Sequence, residues 1–188
     1  MRRAFLIMAV ALSLLGCSSL DKGTSAAYGG YTATADPDVP VLFTLRKEDR
    51  VAVVFPSVPY REERSLELSS REYLSSRGIL SLAVSDVYPA SLEEDVDWNE
   101  VLYALTDAET DYLLVVSVVE SREYPSGGIA GRVYEVSIRD YRSGRTEGSI
   151  SVTVLGSGDQ WNSYEDTLVP VARAFAKALG EALLVLSR

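Results

Sequence analysis

The stretch Tyr112-Leu-Leu-Val-Val-Ser-Val-Val119 limits the architecture more than any other part of the chain. It is almost wholly apolar and β-branched, so both faces of the strand it forms must be covered. That places it in the middle of a core, inside a sheet. The flanking segments supply the rest. Arg50-Val-Ala-Val-Val-Phe-Pro56 is a short apolar run ended by a proline and reads as a buried strand, while Val41 to Leu45 reads as a short strand or an apolar strap. Glu62 to Arg77 carries Leu66, Tyr73 and Leu74 at helical spacing, with Gly78 placed to end the helix. Ile79 to Val84 is a second strand. Asp97 and Glu100 stand at capping-box spacing, and Trp98, Val101, Leu102 and Leu105 mark one face of the helix they open. Tyr134, Val136 and Ile138 alternate with polar residues, as do Ile150, Val152 and Val154; Arg142-Ser143-Gly144-Arg145 joins the two runs as a hairpin turn. A closing helix over 166–186 tolerates Pro170 only near its start. The order is β-α-β-α-β-β-β-α. The fold class expected is an α/β sandwich with a mixed sheet of about five strands, parallel early and antiparallel late.

The N-terminus carries a different kind of message. Arg2 and Arg3 lead into an apolar run from Ala4 to Leu15 that stops at Gly16-Cys17. A cationic start, a short apolar core and a small residue before the cut are the layout of a secretory signal peptide. At roughly a dozen residues the run is shorter than the about 20 a spanning helix needs. Leu14-Leu15-Gly16-Cys17 resembles the lipobox of bacterial lipoproteins, and Cys17 is the only cysteine in the chain. The resemblance implies that Cys17 is the lipidated first residue of the mature protein. Ser18 stands where an aspartate signals inner-membrane retention, so the implied address is the outer membrane, facing the periplasm. The expected division is residues 1–16 as signal peptide, 17–40 as a flexible tether rich in Ser, Gly and Pro, and 41–188 as a single α/β domain. Within the tether, Tyr28-Gly29-Gly30-Tyr31 is either a docking peptide or an aromatic contact with the domain.

Loss of the signal leaves about 172 residues, enough for one domain with a proper core. Formal charge is −9, and losing Arg2 and Arg3 makes the mature chain more acidic. No long Lys/Arg cluster offsets that, so the acidic body is a poor match for nucleic acid or anionic lipid headgroups, both of which require a basic footprint, and no nucleic-acid partner is expected. The chain has no histidine. Triads built on His and imidazole metal sites are therefore excluded. With Cys17 acylated, no thiol remains for catalysis, zinc or disulfides.

Several stretches resemble the periplasmic superfamily that includes the TolB N-terminal domain, the penicillin-binding-protein activator LpoB and the curli secretion lipoprotein CsgG. They are Arg50-Val-Ala-Val-Val-Phe, the helix end Ser75-Ser76-Arg77-Gly78, and Thr110-Asp111-Tyr112-Leu-Leu-Val. The hairpin Val136-Ser-Ile-Arg-Asp140 followed by Ser143-Gly144 completes the set. The resemblance covers Glu48 to Leu186. It implies an α/β fold and a role in binding or assembling other envelope proteins. The long insertions that build the curli pore are missing, so no pore is implied.

The candidate sites are few. Glu93-Glu94-Asp95-Val96-Asp97 offers oxygen ligands for Ca²⁺ but lacks an EF-hand pattern and reads as an acidic helix start. No two carboxylates are paired by the sequence across a cleft, and Ser-x-x-Lys is absent from the mature chain. Gly127-Gly128 and Gly156-Ser157-Gly158 read as turns rather than phosphate loops. Tyr124, Trp161 and Tyr164, in or beside polar loops, are the candidate partner contacts, with folding back onto the core as the plainer alternative. The expectation is a lipoprotein adaptor that is not an enzyme, needs no cofactor or metal, and binds an envelope protein. A small-ligand module for a glycan or lipid is the alternative.

Overall fold

A computed structural model describes residues 23–40, 44–88, 97–158 and 163–187. The strands are β1 (Thr24–Tyr28), β2 (Tyr31–Asp38), β3 (Arg50–Val54), β4 (Leu80–Ala83), β5 (Tyr112–Glu123), β6 (Ile129–Asp140) and β7 (Thr146–Gly156). The helices are α1 (Tyr60–Ser76), α2 (Val84–Val87), α3 (Trp98–Asp107) and α4 (Tyr164–Leu186). All seven strands form one mixed sheet in the order β1-β2-β7-β6-β5-β3-β4. β3 pairs in parallel with β4 and β5, and every other pairing is antiparallel. The mixed α/β class and the early-parallel, late-antiparallel split match the expectation.

The strand count does not, and the reason lies in the segment expected as tether. Residues 24–38 form a hairpin that joins the sheet through β2 on β7. Gly29 and Gly30 both take positive φ, 53° and 81°. That is the two-glycine turn whose twist suits a tight hairpin. Tyr31, Ala33 and Ala35 point into the core while Thr32, Thr34 and Asp36 point out. The period of two was present in the sequence, written in small residues that carry little hydrophobic signal. Pro37 lies past the end of β1, where its missing N–H costs no bond to that strand.

β5 is covered on both faces over its first half, as its composition requires. Leu114 and Val116 face a core shared with α1 and α4, whereas Leu113 packs with Ala52, Val54, Val101 and Leu105 beneath α3. In its second half β5 runs out of cover, and Val119 is 66% exposed. α3 begins at Asp97, whose side chain accepts from the Asn99 N–H at 2.9 Å. The reciprocal box expected there with Glu100 is instead made by Ser163 and Asp166 at the start of α4. Leu102, expected on the apolar face of α3, is 40% exposed. α1 ends as expected, with Gly78 at φ 78° and Ile79 N–H returning to the Leu74 carbonyl. Residues 41–43 lie outside the described residues, but Leu45 is buried and its N–H bonds the Leu186 carbonyl at 3.1 Å.

α4 crosses β1, β2, β7 and β6 and packs beside α1. Gly180 of α4 lies directly against Tyr73 of α1. A Cβ there would lie 2.6 Å from a carbon of the Tyr73 ring, which is held by its hydroxyl bond to Glu181 at 2.6 Å. In an open helix Gly→Ala adds about 1 kcal/mol of stability. Here overpacking outweighs that gain. Gly180→Ala is expected to destabilise the domain by about 1–2 kcal/mol in urea unfolding, and the same change with Tyr73→Ala recovers the loss due to contact.

Candidate functional site

A buried polar cluster is built where α1 and α4 both begin, over β6. Strand alternation points Arg132 and Tyr134 to the helix side of β6, and Glu62 lies in the first turn of α1. Glu62 is 1% exposed and Arg132 5%. The carboxylate accepts from the Tyr134 hydroxyl at 2.6 Å, the Tyr164 hydroxyl at 3.2 Å, and Arg132 Nε and Nη2, each at 3.3 Å at the nearest. Burial, then the charge of Glu62, pushes the Tyr134 phenol well above its ordinary value, and the same causes push Tyr164 up to about 12. Both therefore stay protonated and act as donors. Burial works against the charge on Arg132, but bonding to Glu62 and its charge prevail, and its pKa rises. Arg132 Nη1 is buried without a hydrogen-bond partner among the described residues.

This arrangement is closed chemically. A general base needs a free lone pair within reach of substrate. The Glu62 oxygens already hold four donors and are shielded from solvent. The cluster is a pin that fixes two helix ends to the sheet. It continues through Thr167, whose Oγ1 donates to the Tyr164 carbonyl at 2.7 Å and accepts from the Ile129 N–H at 3.1 Å. The Tyr31 hydroxyl then donates to the Ile129 carbonyl at 2.6 Å.

Two of the three partner residues expected from sequence, Tyr124 and Tyr164, are among the described residues. Tyr164 is drawn inward to Glu62. Tyr124 is half-buried, and its hydroxyl donates to the Ser157 carbonyl at 3.1 Å over Gly156. Trp161 lies outside the described residues, but the chain on either side of it is fixed here: Ser157 N–H bonds the Gly30 carbonyl at 2.9 Å and Ser163 caps α4. Leu14, Leu15, Gly16 and Cys17, and residues 93–96 of the acidic run, also lie outside the described residues. The sequence reading missed Glu62, Arg132 and Tyr134 as a group. One signal was available, because Arg132 occupies the same strand parity as Tyr134, Val136 and Ile138. A charged residue in an apolar register needs a buried partner.

At the opposite end of the sheet, two adjoining depressions of about 710 and 670 Å³ share Asp111 and Arg142. Asp111 accepts from the Arg50 N–H at 3.0 Å and from Arg142 at 3.3 Å. Arg46, Glu48, Asp49 and Glu147 make the surroundings strongly charged and of mixed sign. Among the described residues no group of three or more Cys, Asp or Glu side chains is arranged to hold a metal ion.

No protein-family model matches the chain, and no curated protein matches its sequence. Solved structures share its fold. Two crystal forms of the PelC dodecamer from Paraburkholderia phytofirmans superpose with TM-scores of 0.52 and 0.53 at 17% and 19% identity. They cover 83% and 80% of this chain and 99% and 97% of theirs. Lipoprotein GNA1162 from Neisseria meningitidis matches more distantly, with TM-score 0.39, 17% identity, and coverage of 70% of this chain and 97% of its own. At these identities the likeness to PelC is one of fold.

Glu62 and Glu63, both in the first turn of α1, each give a testable outcome. Glu62→Gln leaves the Arg132 guanidinium buried without a counter-charge and is expected to cost about 3 kcal/mol in chemical denaturation. Tyr164→Phe, which removes one donor, is expected to cost about 1–2 kcal/mol. The second outcome concerns Glu63, whose carboxyl is pushed from 4.5 to about 7, first by burial and then by the neighbouring Glu67. Glu67 is itself fixed by the Ser85 N–H at 2.9 Å. Between those two values the unfolded chain has released a proton that the fold still holds, so stability falls as pH rises and the cost is complete above about 7. Glu63→Gln is expected to raise stability over the wild type by about 1 kcal/mol at pH 8, after allowing for its partial exposure, and to give no gain at pH 4. Paired melts at the two pH values measure it.

Proposed function

We propose that this chain is an outer-membrane-anchored, periplasm-facing lipoprotein that serves as a non-enzymatic accessory or adaptor for an envelope assembly, secretion or cell-wall system. The observation that carries the reading is Leu14-Leu15-Gly16-Cys17 ahead of a domain that spans nearly the whole PelC fold. PelC is a dodecamer, and the adaptor proposed here acts as an assembly of copies too. The resemblance of Arg50-Val-Ala-Val-Val-Phe and Thr110-Asp111-Tyr112 to the TolB, LpoB and CsgG group supports service to other envelope proteins. The closed state of Glu62 supports a role other than acid–base catalysis. A small-ligand role for a glycan or lipid ranks second, because the two depressions around Asp111 and Arg142 are open and charged rather than closed around aromatic rings.

The test is in-cell crosslinking of the tagged full chain, followed by mass spectrometry of the detergent-solubilised material. The expected result is an acylated Cys17, outer-membrane fractionation, and a specific complex larger than the monomer. Trp161→Ala and Tyr124→Ala are expected to weaken the hetero-complex at least severalfold while circular dichroism stays unchanged. Recovery of the lipidated monomer alone would sink the adaptor reading.

A further inference from the structure

With the hairpin docked in the sheet, the stretch between Cys17 and the first strand is far shorter than the expected tether of residues 17–40. Only Ser18 to Gly23 separate Cys17 from Thr24. Fully extended, those residues reach about 20 Å, whereas a domain of this size is about 40 Å across. Thr24 is also fixed in place. It opens β1, pairs with Ala35, and its Oγ1 donates to the Ala178 carbonyl on α4 at 3.2 Å. A chain acylated at Cys17 is therefore held at the membrane by one particular side, where β1 meets α4.

That side has a distinct chemistry. Tyr28 of β1, Tyr73 and Glu72 of α1, and Arg173 and Lys177 of α4 surround a depression of about 340 Å³. Arg173 is exposed, lies over the Tyr28 ring at 5.1 Å from its centre, and donates to the Tyr28 hydroxyl. The mature chain has three lysines; Lys177 lines this depression and Lys22 lies in the tether two residues before Thr24. The nearby pair Arg77–Glu181 closes on itself at 3.0 Å, leaving two cations against Glu72. On the other face of the sheet, α3 presents Asp97, Glu100 and Asp107, all exposed. An anionic surface repels that face and accepts this one. Tyrosine rings with polar tips suit the headgroup boundary.

We infer that the strip formed by Tyr28, Tyr73, Arg173 and Lys177 is the face that lies on the bilayer, with its cations against anionic headgroups. This rests on Cys17 being the lipid anchor. The loop carrying Tyr124 is then left open to the periplasm for a partner.

The experiment uses the full lipidated protein, whose only free thiol is one introduced for labelling. Ser69→Cys places a fluorophore beside the strip, and Tyr103→Cys places one on exposed α3. Each is reconstituted into phosphatidylethanolamine–phosphatidylglycerol vesicles carrying a headgroup nitroxide quencher. The expected result is strong quenching at position 69 and little at 103. Arg173→Glu with Lys177→Glu is expected to cut the quenched population about fivefold per residue; salt of about 1 M weakens it likewise. Equal quenching at both positions, or stronger quenching at 103, overturns the orientation while flotation with the vesicles and an acyl mass on Cys17 keep the anchor reading intact. Failure to float, with Cys17 unmodified, removes the anchor and this inference with it.

Discussion

The packing of α4 across the antiparallel half of the sheet is the interaction on which the rest of the structure depends. Its buried face is mostly small: Ala172, Ala174, Ala176, Ala178 and Ala182 with Gly180 let the helix lie close to β1 and β2 and to α1. Large residues share that face, Leu168, Leu179, Leu183 and Leu186 among them, and Phe175 is the aromatic one. Its ring meets Tyr134 at 4.8 Å and Phe55 at 6.4 Å, edge to face in both cases, and joins the strands on either side of β5 into one core. Without α4, the hairpin of β1 and β2 would have no cover for Tyr31, Ala33 and Ala35. A two-stranded ribbon of such small residues does not hold by itself in water.

The Glu62 pin works on top of that packing. Two helices that begin at the same place could slide along their axes at little cost if only apolar contacts held them. A carboxylate with four donors from β6 and α4 fixes their register, because any slip strands a charge out of water. Such a buried pair adds little net stability over an apolar replacement and instead penalises alternatives. In this fold it holds α1, α4 and β6 at the end where the loop of Trp161 leaves and returns.

The hairpin also changes how the acidic composition should be read. A net charge of −9 over the full chain argues against contact with an anionic surface when it is taken as evenly spread. Docking β1 against α4 sets Tyr28 beside Arg173 and Lys177 and gathers the cations of that side next to β1. The resulting asymmetry, cationic beside β1 and acidic on α3, is a property of the folded surface and has no counterpart along the chain.

The sequence by itself determined the elements that carry strong periodicity. β5 had to be internal because Leu113 to Val116 are apolar on both faces. The β6–β7 hairpin followed from strict alternation about Gly144, and Gly78 marked the end of α1 through a backbone constraint that is local; Pro170, expected close to the start of α4, lies inside it beyond the first turn, because the helix begins earlier, at Tyr164. The tertiary structure alone decided that residues 24–38 are strands, because alanine and threonine give weak signals until a neighbouring strand and a helix cover them. It alone brought Glu62 to Arg132 and Tyr134, since a contact across 70 residues follows from how α1 folds back over the sheet. It also turned Tyr164 inward, where the sequence offered surface or core. Local propensity is written residue by residue, whereas burial and charge pairing are set by what the fold places opposite.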